Sequence, residues 1–181
     1  MFQPTLKAQS PILSKELRGT PKVWSYKGCN GLIRKSKPGD GVSLGPRLRK
    51  ADLNEVKAYS REDPGSLIEE TIKIYGSLTY TIEKQGVPIG IFGIVPHNHI
   101  AGAIWMLGTD DIVKIKIPFL RNCKFWVEAF SELYPILFNV VSVANTLHVN
   151  WLKWLGFKFM QEHKEYGLNK EHFIEFIKVK I

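Results

Sequence analysis

The chain has 181 residues, which is enough for one ordinary domain and an appendage but too few for two full cores. Hydrophobic residues make up 44% of it and charged residues 23%, so neither a wholly disordered chain nor a membrane-spanning one fits. The net charge of +8 suggests an anionic partner, and the position of that charge along the chain decides whether the suggestion holds.

The excess of positive charge lies in the first 50 residues, which hold eleven basic and two acidic side chains. The remainder is nearly neutral, so we do not expect a nucleic-acid-binding face on the domain itself. Nucleic-acid binding by the amino-terminal segment stays a secondary alternative, because its charges are scattered among prolines.

Residues 1–42 are predicted to form an extended basic arm, since prolines and glycines interrupt them and no helical or alternating period is sustained. Apolar residues recur too often for an inert linker, so we expect the arm to dock on a partner. Packing on the chain's own domain is the alternative. The candidate docking residues are Phe2, Leu6, Leu13, Leu17, Trp24, Tyr26, Arg34 and Lys35.

Residues 43–181 are predicted to form a single α/β domain. The chain order is a short strand after Ser43, two helices, a hairpin that turns at Gln85 and Gly86, a further strand, a long helix opened by Pro118, a nearly all-apolar strand, a short helix and two alternating strands. Asn145 is the predicted cap of the short helix and Gly156 its terminator. The helices must cover one mixed sheet on both faces.

Several site classes are not expected. Cys29 and Cys123 form no C-x-x-C pair, and His97 and His99 have no evident third ligand, so neither a disulfide framework nor a metal site is predicted. The start of the chain lacks the apolar stretch of a signal peptide, and no run of 18 apolar residues occurs. We therefore expect a protein with no membrane partner that is not secreted by a signal peptide.

The element order resembles the GNAT acyltransferase fold, and one segment sharpens that resemblance. In "NTLHVNWLKWLGF", Asn145 ends a strand and the Gly156–Phe157 pair follows at the spacing of that superfamily's carboxyl-terminal helix. The segments "FNVVSVANTLHVNWLKWLGFKF" and "WMLGTDD" resemble more narrowly a GNAT-like internal virion or assembly protein family of short-tailed bacteriophages. That resemblance implies a location in the virion, or in the host cytoplasm during assembly.

GNAT enzymes hold the pyrophosphate of acetyl-CoA on the backbone N–H groups of a glycine-rich loop, and the matching loop here departs from that pattern. It reads "LGTDDIVKIKIPF", with a single glycine, Gly108, followed by Thr109, Asp110 and Asp111. The two carboxylates would repel a dianion. A solvated turn is the alternative interpretation of these two acids.

The family also commonly uses a tyrosine as general acid seven residues after the strand-ending asparagine, and Leu152 stands at that position. His148, one turn earlier, is the one weak candidate for a proton donor, with a core or capping role as its alternative.

We therefore expect a non-catalytic, degenerate GNAT-fold structural or assembly protein of a short-tailed phage particle, with no cofactor and no metal. Its expected partners are other phage structural proteins, such as portal, tail or internal core, or further copies of itself in a ring. The alternative is an acetyl-CoA-dependent N-acetyltransferase that acts on a protein or small-molecule amine.

Overall fold

The computed structural model describes residues 22–26 and 29–181, with side chains for 31–115 and 122–181. The strands are β1 (Lys22–Tyr26), β2 (Cys29–Lys35), β3 (Thr79–Lys84), β4 (Val87–Pro96), β5 (Ala101–Gly108), β6 (Ile136–Ser142), β7 (Lys158–Tyr166) and β8 (Glu171–Val179). The helices are α1 (Asp40–Leu44), α2 (Lys50–Tyr59), α3 (Pro64–Tyr75), α4 (Asp111–Lys114), α5 (Lys116–Leu133) and α6 (Thr146–Trp154).

The eight strands form one sheet in the order β1-β2-β3-β4-β5-β6-β8-β7. All neighbours pair antiparallel except β5 and β6, which run parallel. A smaller apolar cluster joins α1 and α3 to one face of the sheet, and the main core lies under α5 and α6 on the other. The predicted α/β class, with a mixed sheet and helices on both faces, is confirmed.

The turn between β3 and β4 and both ends of α6 form where the sequence predicts them. Gln85 and Gly86 both have positive φ at the tight turn between β3 and β4. Asn145 caps α6 by accepting the His148 N–H at 3.4 Å, and Gly156 ends that helix with a φ of 82°. The long helix begins at Lys116, two residues before the predicted Pro118.

The segment around residues 29–49 differs from the prediction. Residues 29–35 form β2, which pairs with β3, and residues 40–44 form α1, so the domain begins before the predicted boundary at residue 43. No strand follows Ser43; a 3-10 turn, Gly45–Arg47, leads into α2 instead. Residues 1–21 of the predicted arm lie outside the described residues.

α1 forms in a glycine-rich segment because α3 completes it. The Glu69 carboxylate accepts hydrogen bonds from the N–H groups of Gly39, Gly41 and Val42 at 2.6–3.2 Å, which satisfies the first turn of α1. The two helices also touch through glycines, because a Cβ on Gly45 would lie 2.5 Å from the backbone nitrogen of Gly65. No side chain larger than hydrogen fits there.

The sheet ends at β7, an edge strand whose pairing with β8 is interrupted twice. The register shifts between Phe159 and Glu162 and again between His163 and Tyr166. Each shift is an irregularity of the bulge type, which bends and twists an edge strand. None of the helices in the described residues is both long and apolar enough to span a bilayer.

Candidate functional site

The two parallel strands separate soon after they meet. β5 and β6 pair only over three residues each, Ala101 to Ala103 against Ile136 to Phe138. Beyond them the strands diverge toward Gly108 and Ser142, leaving a wedge-shaped gap that we call the split. Backbone groups along both edges of the split must find other partners.

Asn139 closes the apex of the split. Its side-chain N–H donates to the Ile104 carbonyl at 2.9 Å, and its side-chain oxygen accepts the Val140 N–H at 2.8 Å. One carboxamide thus takes the place of the next bond in the parallel ladder. The strands separate without leaving these two backbone groups unpaired.

Helix α2 holds the far end of β5. The Asp52 carboxylate accepts the Gly108 N–H at 2.8 Å, and the Arg49 N–H donates to the Gly108 carbonyl at 2.9 Å. The Arg49 guanidinium contacts the same carboxylate at 2.6 Å, so the 1% exposed Asp52 is both paired and hydrogen-bonded.

The next turn of α2 holds the far end of β6. One Glu55 oxygen accepts the Ser142 N–H at 3.2 Å and the Asn145 side-chain N–H at 3.0 Å. Burial, with a further contribution from Asp52, raises the Glu55 pKa to about 7. Because Asp52 and Glu55 are three residues apart on one helix, α2 bridges the two edges of the split.

His148 faces Glu55 across the mouth of the split. Its Nδ1 lies 3.9 Å from the second Glu55 oxygen, and its ring contacts Trp151 in a tilted arrangement, with 5.3 Å between centroids. Burial, aided by the charge of Arg49, lowers the His148 pKa to about 4. The imidazole is therefore neutral at pH 7, which does not favour the proton-donating role considered for it.

The loop after β5 uses its own N–H groups. Within it the N–H groups of Ile112, Val113 and Ile115 bond to carbonyls three residues earlier, and the Asp111 N–H reaches the Thr109 hydroxyl at 3.3 Å. Ile112 is buried, and a Cβ on Gly108 would meet it at 2.9 Å. The Lys114 ammonium lies 2.7 Å from the Asp111 carboxylate and lowers the pKa of that carboxyl group. Asp110 is exposed and caps no helix through its side chain.

No protein-family model and no curated protein matches the sequence. Solved structures match at low identity. Ard1 from Thermoplasma volcanium aligns over 83% of this chain and 98% of its own, at a TM-score of 0.67 and 12% identity. A GNAT-family acetyltransferase from Streptococcus pneumoniae aligns over 83% of this chain and 99% of its own, at a TM-score of 0.60 and 19% identity. A ribosomal-protein-alanine N-acetyltransferase from Brucella melitensis aligns over 81% of this chain and 98% of its own, at a TM-score of 0.62 and 13% identity.

This chain has the GNAT fold. The Streptococcus pneumoniae and Brucella melitensis neighbours are acetyltransferases by their own descriptions, and at these identities all three neighbours establish the fold alone. They say nothing about the narrower resemblance to phage proteins, which stays a prediction.

An acetyl-CoA loop of the GNAT type needs free backbone donors, and the described loop does not fit that requirement. The three N–H groups named above are bonded within the loop, and the Gly108 N–H is bonded to Asp52. Asp110 and Asp111 add negative charge beside them. Among the described residues, no three His, Cys, Asp or Glu side chains come together to share a metal ion.

The structure describes only four of the eight predicted docking residues. Phe2, Leu6, Leu13 and Leu17 lie outside the described residues, and Trp24 and Tyr26 belong to β1, the first strand of the sheet. Arg34 is not free to dock, because its guanidinium binds the Asp40 carboxylate at 2.7 and 2.8 Å and also contacts Glu83. Lys35 is exposed at the end of β2.

Sequence reasoning missed the three side chains that organise the split, namely Asn139, Asp52 and Glu55. A signal for the last two was present, because residues 52, 55, 56 and 59 follow the spacing of a buried helical face. Two acids at such positions predict carboxylates that turn inward and need partners. Asn139 gave no comparable signal beyond a single polar residue in an apolar strand.

Proposed function

We propose that this chain is a non-catalytic GNAT-fold protein that serves as a structural or assembly component of a short-tailed phage particle. The observation that supports the absence of acetyl-CoA chemistry is the position of α2 across the split. Asp52 and Glu55 bond the backbone donors at the ends of β5 and β6, where the fold's cofactor would need them.

The energetics favour the protein's own carboxylates over a phosphate-bearing ligand. Hydrogen bonds from N–H groups to a carboxylate are charge-assisted and stronger than neutral ones, so displacing them is costly. A pyrophosphate at the end of β5 would also approach Asp52, Asp110 and Asp111. A ligand would have to break these contacts and bear that repulsion together.

The test is calorimetric titration of the full chain with acetyl-CoA. We expect no saturable heat up to millimolar cofactor. Saturable binding in the micromolar range, competed by free CoA, would refute the non-catalytic proposal. The double variant Asp52→Asn, Glu55→Gln serves as the matched protein, since it keeps shape and removes both charges; binding gained by this variant alone would support the role assigned to the carboxylates.

The particle role rests on the sequence resemblance and on the arm. In the full chain, replacing Leu6, Leu13 and Leu17 by serine should leave the folded domain intact and reduce its incorporation into virions. A matched variant with Leu147→Ser and Val143→Ser, both exposed on the domain, should be incorporated normally. Normal incorporation of the arm variant would remove the arm from the proposal.

An N-acetyltransferase is the second candidate, and two of the solved structures named above are described as acetyltransferases, whereas none of the three is described as a particle protein. Glu55 is the specific observation for it, because a buried carboxyl with a pKa of about 7 suits a general base near neutral pH. Thiol release from acetyl-CoA in the presence of amine-bearing peptides would detect the activity. Glu55→Gln should then lower the rate about 100-fold or more, whereas Glu128→Gln on the exposed side of α5 should not.

A further inference from the structure

A cavity of about 800 Å³ extends along the split and reaches both faces of the sheet. Its walls are mainly apolar and aromatic and come from both edges of the split, from α5 and α6 on one face and from α2 and α3 on the other. Representative members are Ile104, Met106, Trp126, Phe138, Val140 and Trp151. This volume lies within the range of sites that bind small organic molecules.

The charges around the cavity exclude an anionic occupant. The chain carries a net charge of +8, yet none of the described residues that line the cavity is a lysine or an arginine. The two charged groups in the lining are carboxylates, and both already have partners. Glu55 binds Ser142 and Asn145, and Glu175 contacts the His163 ring at 2.7 Å.

Polar atoms in the cavity wall still lack partners. Trp126 is 5% exposed, and its indole N–H has no hydrogen-bond partner among the described residues. The Trp105 indole N–H and the His148 Nδ1 also lack a hydrogen-bond partner among the described residues, and all three residues line the cavity. A buried indole N–H can only donate, so it calls for an acceptor oxygen.

We propose that this cavity is a binding site for an uncharged, elongated apolar molecule that carries a carbonyl oxygen. The hydrocarbon portion fills the apolar space along the split, between the helices on the two faces of the sheet. The carbonyl oxygen accepts an indole N–H from Trp126 or Trp105, which the protein leaves unpaired. A carboxylate at the same place would face Glu55 with no cation in the cavity wall to offset the repulsion, because the Arg49 guanidinium is already paired with Asp52.

The experiment titrates the full chain with methyl octyl ketone and, separately, with decanoate, which has the same number of carbons but an anionic end. Binding is followed by tryptophan fluorescence and checked by calorimetry at pH 8, where Glu55 is ionised. We expect saturable binding of the ketone and at least about tenfold weaker binding of decanoate. Absence of ketone binding, or equal binding of the two probes, would overturn the proposal.

Single substitutions separate the acceptor contact from simple apolar burial. Trp126→Phe and Trp105→Phe keep an aromatic ring and remove the indole N–H, and at least one of them should weaken ketone binding about five- to tenfold. Trp154→Phe is the matched control, because Trp154 is 46% exposed and lies outside the cavity wall. Thermal unfolding of each variant checks that it folds. Unchanged affinity in both cavity variants would refute the carbonyl contact.

Discussion

The part of the sheet from β2 to β5 and the split between β5 and β6 both have to satisfy backbone hydrogen bonds, and they do so by different means. The first region, which we call the closed half, has an antiparallel ladder with one register shift, between Ile82 and Glu83, and is covered by α1 and α3. In the split the ladder is absent beyond three residue pairs, and side chains of Asn139, Asp52 and Glu55 replace it.

This difference indicates which kinds of substitution destabilise each region. The closed half depends on close helix contacts and on the Arg34–Asp40 ion pair, so it is sensitive to added volume at those contacts and to an unpaired charge at that pair. The split depends on a few polar side chains, and burial raises the pKa of one of them, Glu55, to about 7. Substitutions can therefore be chosen that affect one region and leave the other unchanged.

The largest expected effect is in the closed half, at the Arg34–Asp40 pair. Burial acts to raise the Asp40 pKa, but hydrogen bonds from Arg34 and Thr81 prevail and lower it, so the carboxylate is charged. Arg34→Met leaves that charge buried without its main partner and should lower the free energy of unfolding by about 3 to 5 kcal/mol. Urea denaturation at pH 7 measures it. Lys73→Met, on the exposed side of α3, should change the value by less than about 0.5 kcal/mol.

The second effect belongs to the split and depends on pH. The Glu55 pKa rises from 4.5 to about 7 on folding, so the folded state holds this proton more tightly than the unfolded state. That stability is present below pH 4.5 and is lost as the pH rises through 7, by about 3 kcal/mol in total. Urea denaturation between pH 4.5 and 8 should show this fall in the natural chain and a flatter profile in Glu55→Gln. Parallel profiles would contradict the assignment.

The third prediction tests the closeness of α1 and α3. Gly45→Ala places a Cβ against the backbone of Gly65 and should cost about 2 to 3 kcal/mol, because only separation of the helices can relieve the overlap. Gly76→Ala is the matched control, since its nearest neighbour would lie at 3.9 Å and its φ is −59°. Thermal unfolding should therefore show a clear loss for the first variant and none for the second.

The smallest of the four effects is at the apex of the split. Asn139→Leu removes the partners of the Ile104 carbonyl and the Val140 N–H and should cost about 2 kcal/mol. Hydrogen exchange of the Val140 amide should become at least about tenfold faster. Asn150→Leu, exposed on α6, is the control. An unchanged Val140 exchange rate would mean that the apex does not depend on this side chain.

The sequence was sufficient for most of the fold because its elements carry local signals. The turn at Gln85–Gly86, the Asn145 cap and the Gly156 terminator are each fixed within a few residues. Cys123, Trp126, Val127 and Phe130 follow the spacing of one face of the long helix, and all four are buried in the structure.

The missed elements depend on contacts between distant residues. β2 pairs with β3 about fifty positions later in the chain, and α1 is completed by the Glu69 side chain. Local propensity gives no sign of either, and the glycines of this segment suggest a loop. The candidate site was missed for the same reason, because Asp52 and Glu55 find their partners on β5 and β6.

The two register shifts in β7 have a consequence for crowded solutions. A regular edge strand can pair along its backbone with a strand of a second molecule. The pairing of β7 shifts register twice within nine residues, so this strand cannot form such a ladder along its whole length. This edge is therefore a poor starting point for a sheet that continues from one copy of the protein into the next.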